Sequence, residues 1–340
     1  MASPYEPTAD VADRTNLFAD AKVLITGGMG FIGSNLARRL IEQGAEVVLV
    51  DNLIPEYGGN LFNMDGMEGR FRLNVADVRD EHTMRCLIQD QDYLFNLAGQ
   101  TSHLDSMHDP FTDLDINSRA QLSILEACRK YNRTIKIVFA STRQVYGRPD
   151  YLPVDEKHRL RPVDVNGINK RAGEEYHILY NNTYGIRSCV LRLTNTYGPH
   201  MRIKDARQTF LGLWIRLLVE GKAFEVWGGQ QLRDFTYVDD AVEAFLMAAT
   251  SEDVNGRVFN LGGECVINLK ALADLLVEVN DGGQYVVRPF PPDRKTIDIG
   301  DYYADFGLIQ STLGWEPKIP LREGLSRTLT YYKTHLQRYT

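Results

Sequence analysis

Little in this 340-residue chain points to a metal, a nucleic acid or a membrane. Its four cysteines, Cys86, Cys128, Cys189 and Cys265, are scattered with no CxxC or CxxH spacing. That excludes a zinc-finger-like site and a small disulfide scaffold, and no metal is expected. Three of them fall in apolar-periodic or strand-like stretches, where buried reduced thiols are expected. No Lys/Arg block stands out, and 38 basic against 45 acidic residues leave a net charge of −7. That balance suits neither nucleic acid nor an anionic lipid surface. No run approaches the roughly 18 apolar residues of a membrane span. The first twenty residues are polar and acidic, without a signal-peptide core, so a cytoplasmic setting is the expectation. The 28 Gly and 13 Pro show no period, and 44% of residues are hydrophobic. Fibrous, low-complexity and disordered classes are thereby excluded.

What is present is a rhythm. After a loose arm (residues 1–20), short apolar runs at 22–26, 46–50, 71–75, 93–97, 135–140 and 188–193 alternate with helical patterns at 31–43, 81–89, 111–131 and 164–183. Strands apolar on both faces and separated by amphipathic helices predict an α/β fold, a doubly wound parallel sheet of Rossmann type over residues 21–195. Beyond about 195 the Gly/Pro clusters thicken. Helices at 207–220, 238–249, 269–279 and 321–335, with strands at 224–226 and 258–261, predict a smaller mixed α/β lobe over 196–340. Some of its segments are expected to return to the main sheet.

The first strand runs into Thr26-Gly27-Gly28-Met29-Gly30-Phe31-Ile32-Gly33-Ser34. Glycines at this spacing suit a sharp turn, close approach of a pyrophosphate, and packing of helix on strand. The helix N-terminus then presents free N–H groups to phosphate. Asp51 ends the second strand, placed to accept from ribose hydroxyls and to repel a 2′-phosphate, which favours NAD over NADP. Asp77 and Val78 are candidate adenine neighbours, and Leu97, Ala98 and Gly99 let the fourth strand's end lie against the dinucleotide.

These residues, with Ser141-Thr142 leading into Val145-Tyr146-Gly147, resemble the extended short-chain dehydrogenase/reductases, closest to the nucleotide-sugar epimerases and dehydratases. Arg192-x-x-Asn195-x-Tyr-Gly-Pro199, Arg233-Asp234-Phe-Thr-Tyr-Val-Asp239-Asp240, Tyr303-Ala-Asp305 and Leu313-Gly-Trp315-Glu-Pro317 extend the likeness over roughly residues 21 to 338. The resemblance implies bound NAD, a nucleoside-diphosphate sugar as substrate, and transient oxidation of a sugar hydroxyl. It assigns cofactor contacts to Gly27, Gly30, Phe31, Ile32, Gly33, Asp51, Asn52, Asp77, Val78, Leu97, Ala98, Gly99 and Lys170. Substrate contacts fall to Arg143, Gln144, Asn195, Arg233 and Arg294. It also implies a homodimer through the helices at 111–131 and 164–183, which carry Leu122, Leu125, Ile178 and Leu179.

The chain departs from the family at the catalytic position. Thr142 takes the Ser/Thr role and Lys170 the lysine role, but Asn166 stands where the family has its proton-abstracting Tyr. Asn has no usable pKa. The replacement base is expected among His103, Asp105, Tyr146 and Lys170; His108 and His200 are expected in surface loops. Thr142-Arg143-Gln144 also lacks the acids that dehydratases carry there, and the Glu that decarboxylases carry at 144. Epimerisation, which needs no acid at that spot, is the leading expectation, at C4 of a UDP-hexose. A dehydratase-like lyase using His103 or Asp105, or a catalytically quiet binding protein, are the alternatives.

Overall fold

The strand–helix alternation builds one large sheet. The computed structural model describes residues 17–291 and 298–340. In chain order it runs β1 (Lys22–Thr26), α1 (Phe31–Glu42), β2 (Glu46–Asp51), β3 (Phe71–Val75), α2 (Glu81–Ile88), β4 (Tyr93–Asn96), α3 (His103–His108), α4 (Pro110–Leu114), α5 (Ala120–Tyr131), β5 (Lys136–Thr142), α6 (Val165–Tyr184) and β6 (Ser188–Leu193). It continues β7 (Asn195–Tyr197), α7 (Phe210–Val219), β8 (Phe224–Trp227), β9 (Leu232–Tyr237), α8 (Val238–Thr250), β10 (Val258–Asn260), β11 (Val266–Asn268), α9 (Leu269–Val279), β12 (Tyr285–Arg288), α10 (Gly307–Leu313) and α11 (Leu321–His335).

Seven strands pair in the order β3-β2-β1-β4-β5-β6-β10, all parallel. The order reverses between β1 and β4, and a ligand crevice opens at the carboxyl ends of such strands. Alternate residues face opposite sides. Val23, Ile25 and Leu49 pack with α1 and α8 through Leu36, Leu40, Val242 and Phe245. Leu24, Val48 and Val50 pack with α2, α5 and α6 through Met84, Ile88, Ile124 and Tyr180. The sheet is therefore buried on both faces, which is why its strands are continuous apolar runs.

Past β6 the chain forms a three-stranded sheet, β11-β9-β7, and a two-stranded one, β12-β8, while β10 returns to the main sheet. The strands β7, β9, β11 and β12 are additions to those the sequence pattern indicated. The Arg233–Asp240 stretch and the Leu313–Pro317 stretch meet in one joint. The Asp240 carboxylate accepts from the Lys318 and Ile319 amides (3.0 and 3.1 Å), and the Trp315 indole donates to the Asp240 carbonyl at 2.9 Å.

Four expectations change. The helix expected over 111–131 is interrupted by a π turn, Asp115–Arg119, between α4 and α5. There the Gln121 side-chain nitrogen Nε2 donates to the Ile116 carbonyl at 3.0 Å. Two cysteines rather than three are buried, Cys128 and Cys189, because Cys86 and Cys265 lie on exposed faces. His200 is buried against Ser34 (Nδ1 to Oγ 3.1 Å) instead of lying in a surface loop. Within the expected arm, residues 1–16 lie outside the described residues, while Phe18 is buried edge-on against Tyr93. Among the described residues no helix is long and apolar enough to cross a membrane.

Candidate active site

The cleft lies where β1 and β4 part. Thr26 and Asn96 hold its floor: the Thr26 hydroxyl donates to Asn96 Oδ1 (2.9 Å) and accepts from the Leu97 and Ala98 amides (3.1 Å each). This fixes the backbone of residues 97–99 along the crevice. Gly27 takes a left-handed conformation (φ 68°). A Cβ on Gly33 would sit 2.2 Å from the Gly27 carbonyl oxygen, so only glycine permits this approach of helix to loop. The start of α1 has no side-chain cap, leaving its first N–H groups for a ligand.

Asp51 is buried at the end of β2, its two carboxylate oxygens accepting from the Met29 and Leu53 amides (3.0 and 2.8 Å). Burial raises its pKa, against the pull of those two amides. Asp77 is forked by Arg79 and bonded by Asn52 (3.1 Å); the Arg79 hydrogen bonds, chief among these contacts, bring its pKa to about 2. Gly27, Gly30, Phe31, Ile32, Gly33, Asp51, Asn52, Asp77, Val78, Leu97, Ala98, Gly99 and Lys170 all line the cleft. This loop, its uncapped helix end and the buried acid on β2 fit a dinucleotide diphosphate.

At the other end of the cleft lie Thr142, Arg143, Asn166, Lys170, Asn195 and His103. Lys170 is buried on α6 and donates to the Ala140 carbonyl at 3.0 Å. Burial pushes its ammonium down to about 8, with Asp113 and Glu174 opposing. The Asn166 amide nitrogen donates to the Gln100 carbonyl (2.7 Å) and to Asp113 Oδ2 (3.1 Å). Asp113 has no exposed surface, and Asn117 and Asn169 also donate to it (3.0 and 2.8 Å). Asn166 thus serves as a strut of a buried polar network. Arg143 donates to Asn195 Oδ1 at 3.0 Å and lies over the Tyr302 ring, 5.2 Å from its centre.

Several expected site residues fall elsewhere. Tyr146 is fully buried outside this cleft: its hydroxyl donates to Asn260 (2.7 Å) and accepts from Arg192 (2.8 Å). Burial lifts its pKa to about 12, which removes it as a base near neutral pH. Asp105 caps no ligand space; it lies on α3 with its carboxylate 3.8 Å from Arg207 and does not line the cleft. Arg233 is buried, donates to the Leu232 carbonyl at 2.8 Å and also to that of Gly300, and sits 3.7 Å from Asp298. Its guanidinium joins β9 to the 298–301 segment and does not face the cleft. Gln144 is buried behind His103 and does not line the cleft either. Arg294 lies outside the described residues.

Structure also adds residues. Tyr57, Gln100, Thr101, Gln208 and Thr209 line the cleft. They come from loops whose position no local pattern encodes. Asp164 and Asp113 support it from behind. Only the first had a sequence signal, as an N-cap acid three residues before Gly167. Among the described residues no cluster of His, Cys, Asp and Glu is arranged to hold a metal ion.

A doubly wound sheet with a glycine loop at its switch point defines a dinucleotide-dependent enzyme. Residues 23–262 match the NAD dependent epimerase/dehydratase family, and the chain belongs to that family. A putative UDP-glucose 4-epimerase of Methanocaldococcus jannaschii is 34% identical over 317 residues, covering 92% of this chain and 99% of the relative. The UDP-glucose 4-epimerase of Thermotoga maritima, solved with UDP-glucose, superposes with a TM-score of 0.85 at 31% identity, covering 93% of this chain and 99% of that one. The Thermus thermophilus UDP-glucose 4-epimerase, solved with NAD, gives 0.82 at 26% identity over 92% and 99%. NAD is the cofactor of this family.

Proposed function

We propose that the protein epimerises a UDP-hexose at C4 through a transient keto sugar. One observation carries the choice of reaction. Among the described residues, the carboxylates lining the cleft are Asp51 and Asp77, both beside the glycine loop. The end holding Thr142, Arg143, Asn166 and Lys170 has none. Loss of water calls for a second acid, beside the base that takes the sugar hydroxyl proton, to protonate the leaving hydroxyl, whereas inversion of one carbon does not. The relatives that act on UDP-glucose support the substrate class.

NAD, when bound, supplies the acceptor and donor of hydride. The chain's own residues do the rest. The first turn of α1 holds the pyrophosphate, and Asp51 the adenosine ribose. Lys170 binds the nicotinamide ribose, and its charge favours loss of the sugar hydroxyl proton. Thr142 hydrogen-bonds the reacting oxygen, while Arg143 and Asn195 hold the nucleoside-diphosphate sugar. The same reading includes a homodimer. The packed pair α4 and α6 exposes Phe111 (76%), Ile168 (54%) and Leu179 (51%), whereas Leu125 belongs to the protomer's own core.

Incubation of the purified enzyme with UDP-glucose, UDP-galactose and other nucleotide sugars tests this. Unchanged mass with inverted C4 stereochemistry by NMR is the expected result. A product lighter by one water marks a lyase, and no change in any sugar marks a quiet binding protein; either result refutes the proposal.

A further inference from the structure

The cleft holds an acid–base pair that the sequence separates by 61 positions. His103 opens α3 and lines the cleft, its side chain one-third exposed. Its Nδ1 lies 3.0 Å from Oδ2 of Asp164, whose side chain has no exposed surface. Asp164 is itself held: Oδ1 accepts from the Gly167 amide at 2.7 Å as the N-cap of α6, and Oδ2 accepts from Gln144 Nε2 at 3.2 Å. Burial raises the Asp164 pKa, but the hydrogen bond and charge of His103 and the Gly167 amide outweigh it and hold the acid ionised.

We propose that His103, oriented by Asp164, is the proton acceptor that replaces the absent tyrosine. The proposal rests on the epimerase reading above and supplies its missing base. A carboxylate at Nδ1 requires a proton on that nitrogen, so the neutral imidazole carries its lone pair on Nε2. In the oxidation half, the sugar O–H bond breaks and its proton goes to Nε2. The hydrogen on the same carbon leaves with its electron pair to the nicotinamide, and the C–O bond becomes C=O. In the return half the hydride comes back from the nicotinamide to the opposite face of that carbon, C=O becomes C–O again, and the same proton goes back to the oxygen. Asn166 cannot perform this task, and its amide is committed to Gln100 and Asp113. The groups facing the imidazole are Asp164 and Gln144. Other charged groups on the packed elements include Asp105 on α3, Arg207 beside it, Asp113 on α4, Arg143 on the turn after β5, and Lys170, Arg171, Glu174 and Glu175 on α6.

Asp164→Asn discriminates sharply. The asparagine oxygen can keep the cap on α6, but its NH2 group then donates to Nδ1 and forces the proton onto Nε2, the wrong tautomer for a base. With UDP-glucose and UDP-galactose as substrates, Asp164→Asn and His103→Ala should each lower kcat about a hundredfold or more. NAD content and melting temperature should stay near wild type. Added imidazole should restore part of the His103→Ala rate, which a structural role would not allow. If Asp164→Asn fails to fold, His103→Ala with imidazole carries the test. An active wild type whose His103→Ala variant keeps its rate, or gains nothing from imidazole, overturns the dyad alone. A wild type that binds NAD but converts none of these sugars overturns the epimerase reading, and the dyad with it.

Discussion

Replacing Gly33 by alanine asks whether the loop after β1 is shaped for a pyrophosphate. The added Cβ would meet the Gly27 carbonyl oxygen at 2.2 Å, and the Gly27 carbonyl carbon and Gly28 Cα at 2.9 Å each. Real Cβ contacts stay beyond 3.0 Å, so α1 and the loop must part by about 0.8 Å. All three atoms are backbone, and no side-chain rotation relieves the contact. Overpacking of this kind costs about 1–3 kcal/mol of stability. The displaced groups are also the N–H donors at the head of α1. A hydrogen bond to a charged phosphate contributes about 1.5–3 kcal/mol, so losing one weakens NAD binding by roughly ten- to 150-fold. Calorimetric titration of the NAD-free protein measures that loss directly. A melt with and without NAD gives a second reading. At about 100 times its Kd, NAD stabilises the wild type by about 2.7 kcal/mol, and a thirtyfold weaker variant gains only about 0.9 kcal/mol from the same concentration. A variant with a lower melting temperature but NAD affinity within about twofold of wild type would show that Gly33 serves packing alone.

Three further outcomes are expected. The protein should bind NAD well above NADP, and Asp51→Ala should narrow the gap by removing the carboxylate that repels a 2′-phosphate; equal affinities of the wild type in titration would refute this. Burial, helped by the charges of Arg38 and His335, lowers the His200 pKa from 6.5 to about 3. A neutral His200 therefore adds stability that is full above pH 6.5 and is lost as pH falls toward 3. His200→Gln should lose less melting temperature between pH 7 and 5 than the wild type, and equal slopes would exclude His200 as a source of acid sensitivity. Light scattering at micromolar concentration should give twice the protomer mass, with Leu179→Glu shifting it toward monomer; a monomeric wild type would reject the dimer.

Local pattern was enough for the parts of this protein that local physics controls. Strands buried on both faces must be apolar throughout, so β1, β2, β5 and β6 stand out as runs, and the helices between them keep their 3.6-residue period. The glycine loop was legible because Gly30 and Gly33 answer the Gly27 carbonyl within the loop itself, although Gly27 and Gly28 also answer residues 97–98 and Leu49 from other strands. Lys170 and Thr142 were legible through family resemblance, and so was the gap at Asn166. Tertiary structure alone decided what depends on distant partners. The addition of β10 to the main sheet is a pairing across 68 positions, Val190 to Val258, that no periodicity announces. Tyr146 and Arg233 carry the residue types of a site, yet each is turned inward, because Arg192 and Asn260, or the Leu232 and Gly300 carbonyls, satisfy it there. A buried polar group goes where its hydrogen bonds are met, and those partners come from other segments. His103 and Asp164 show the converse. As a loop histidine and a helix-capping acid they are ordinary residues in sequence; only the packing of α3 against the start of α6 sets them 3.0 Å apart at the cleft.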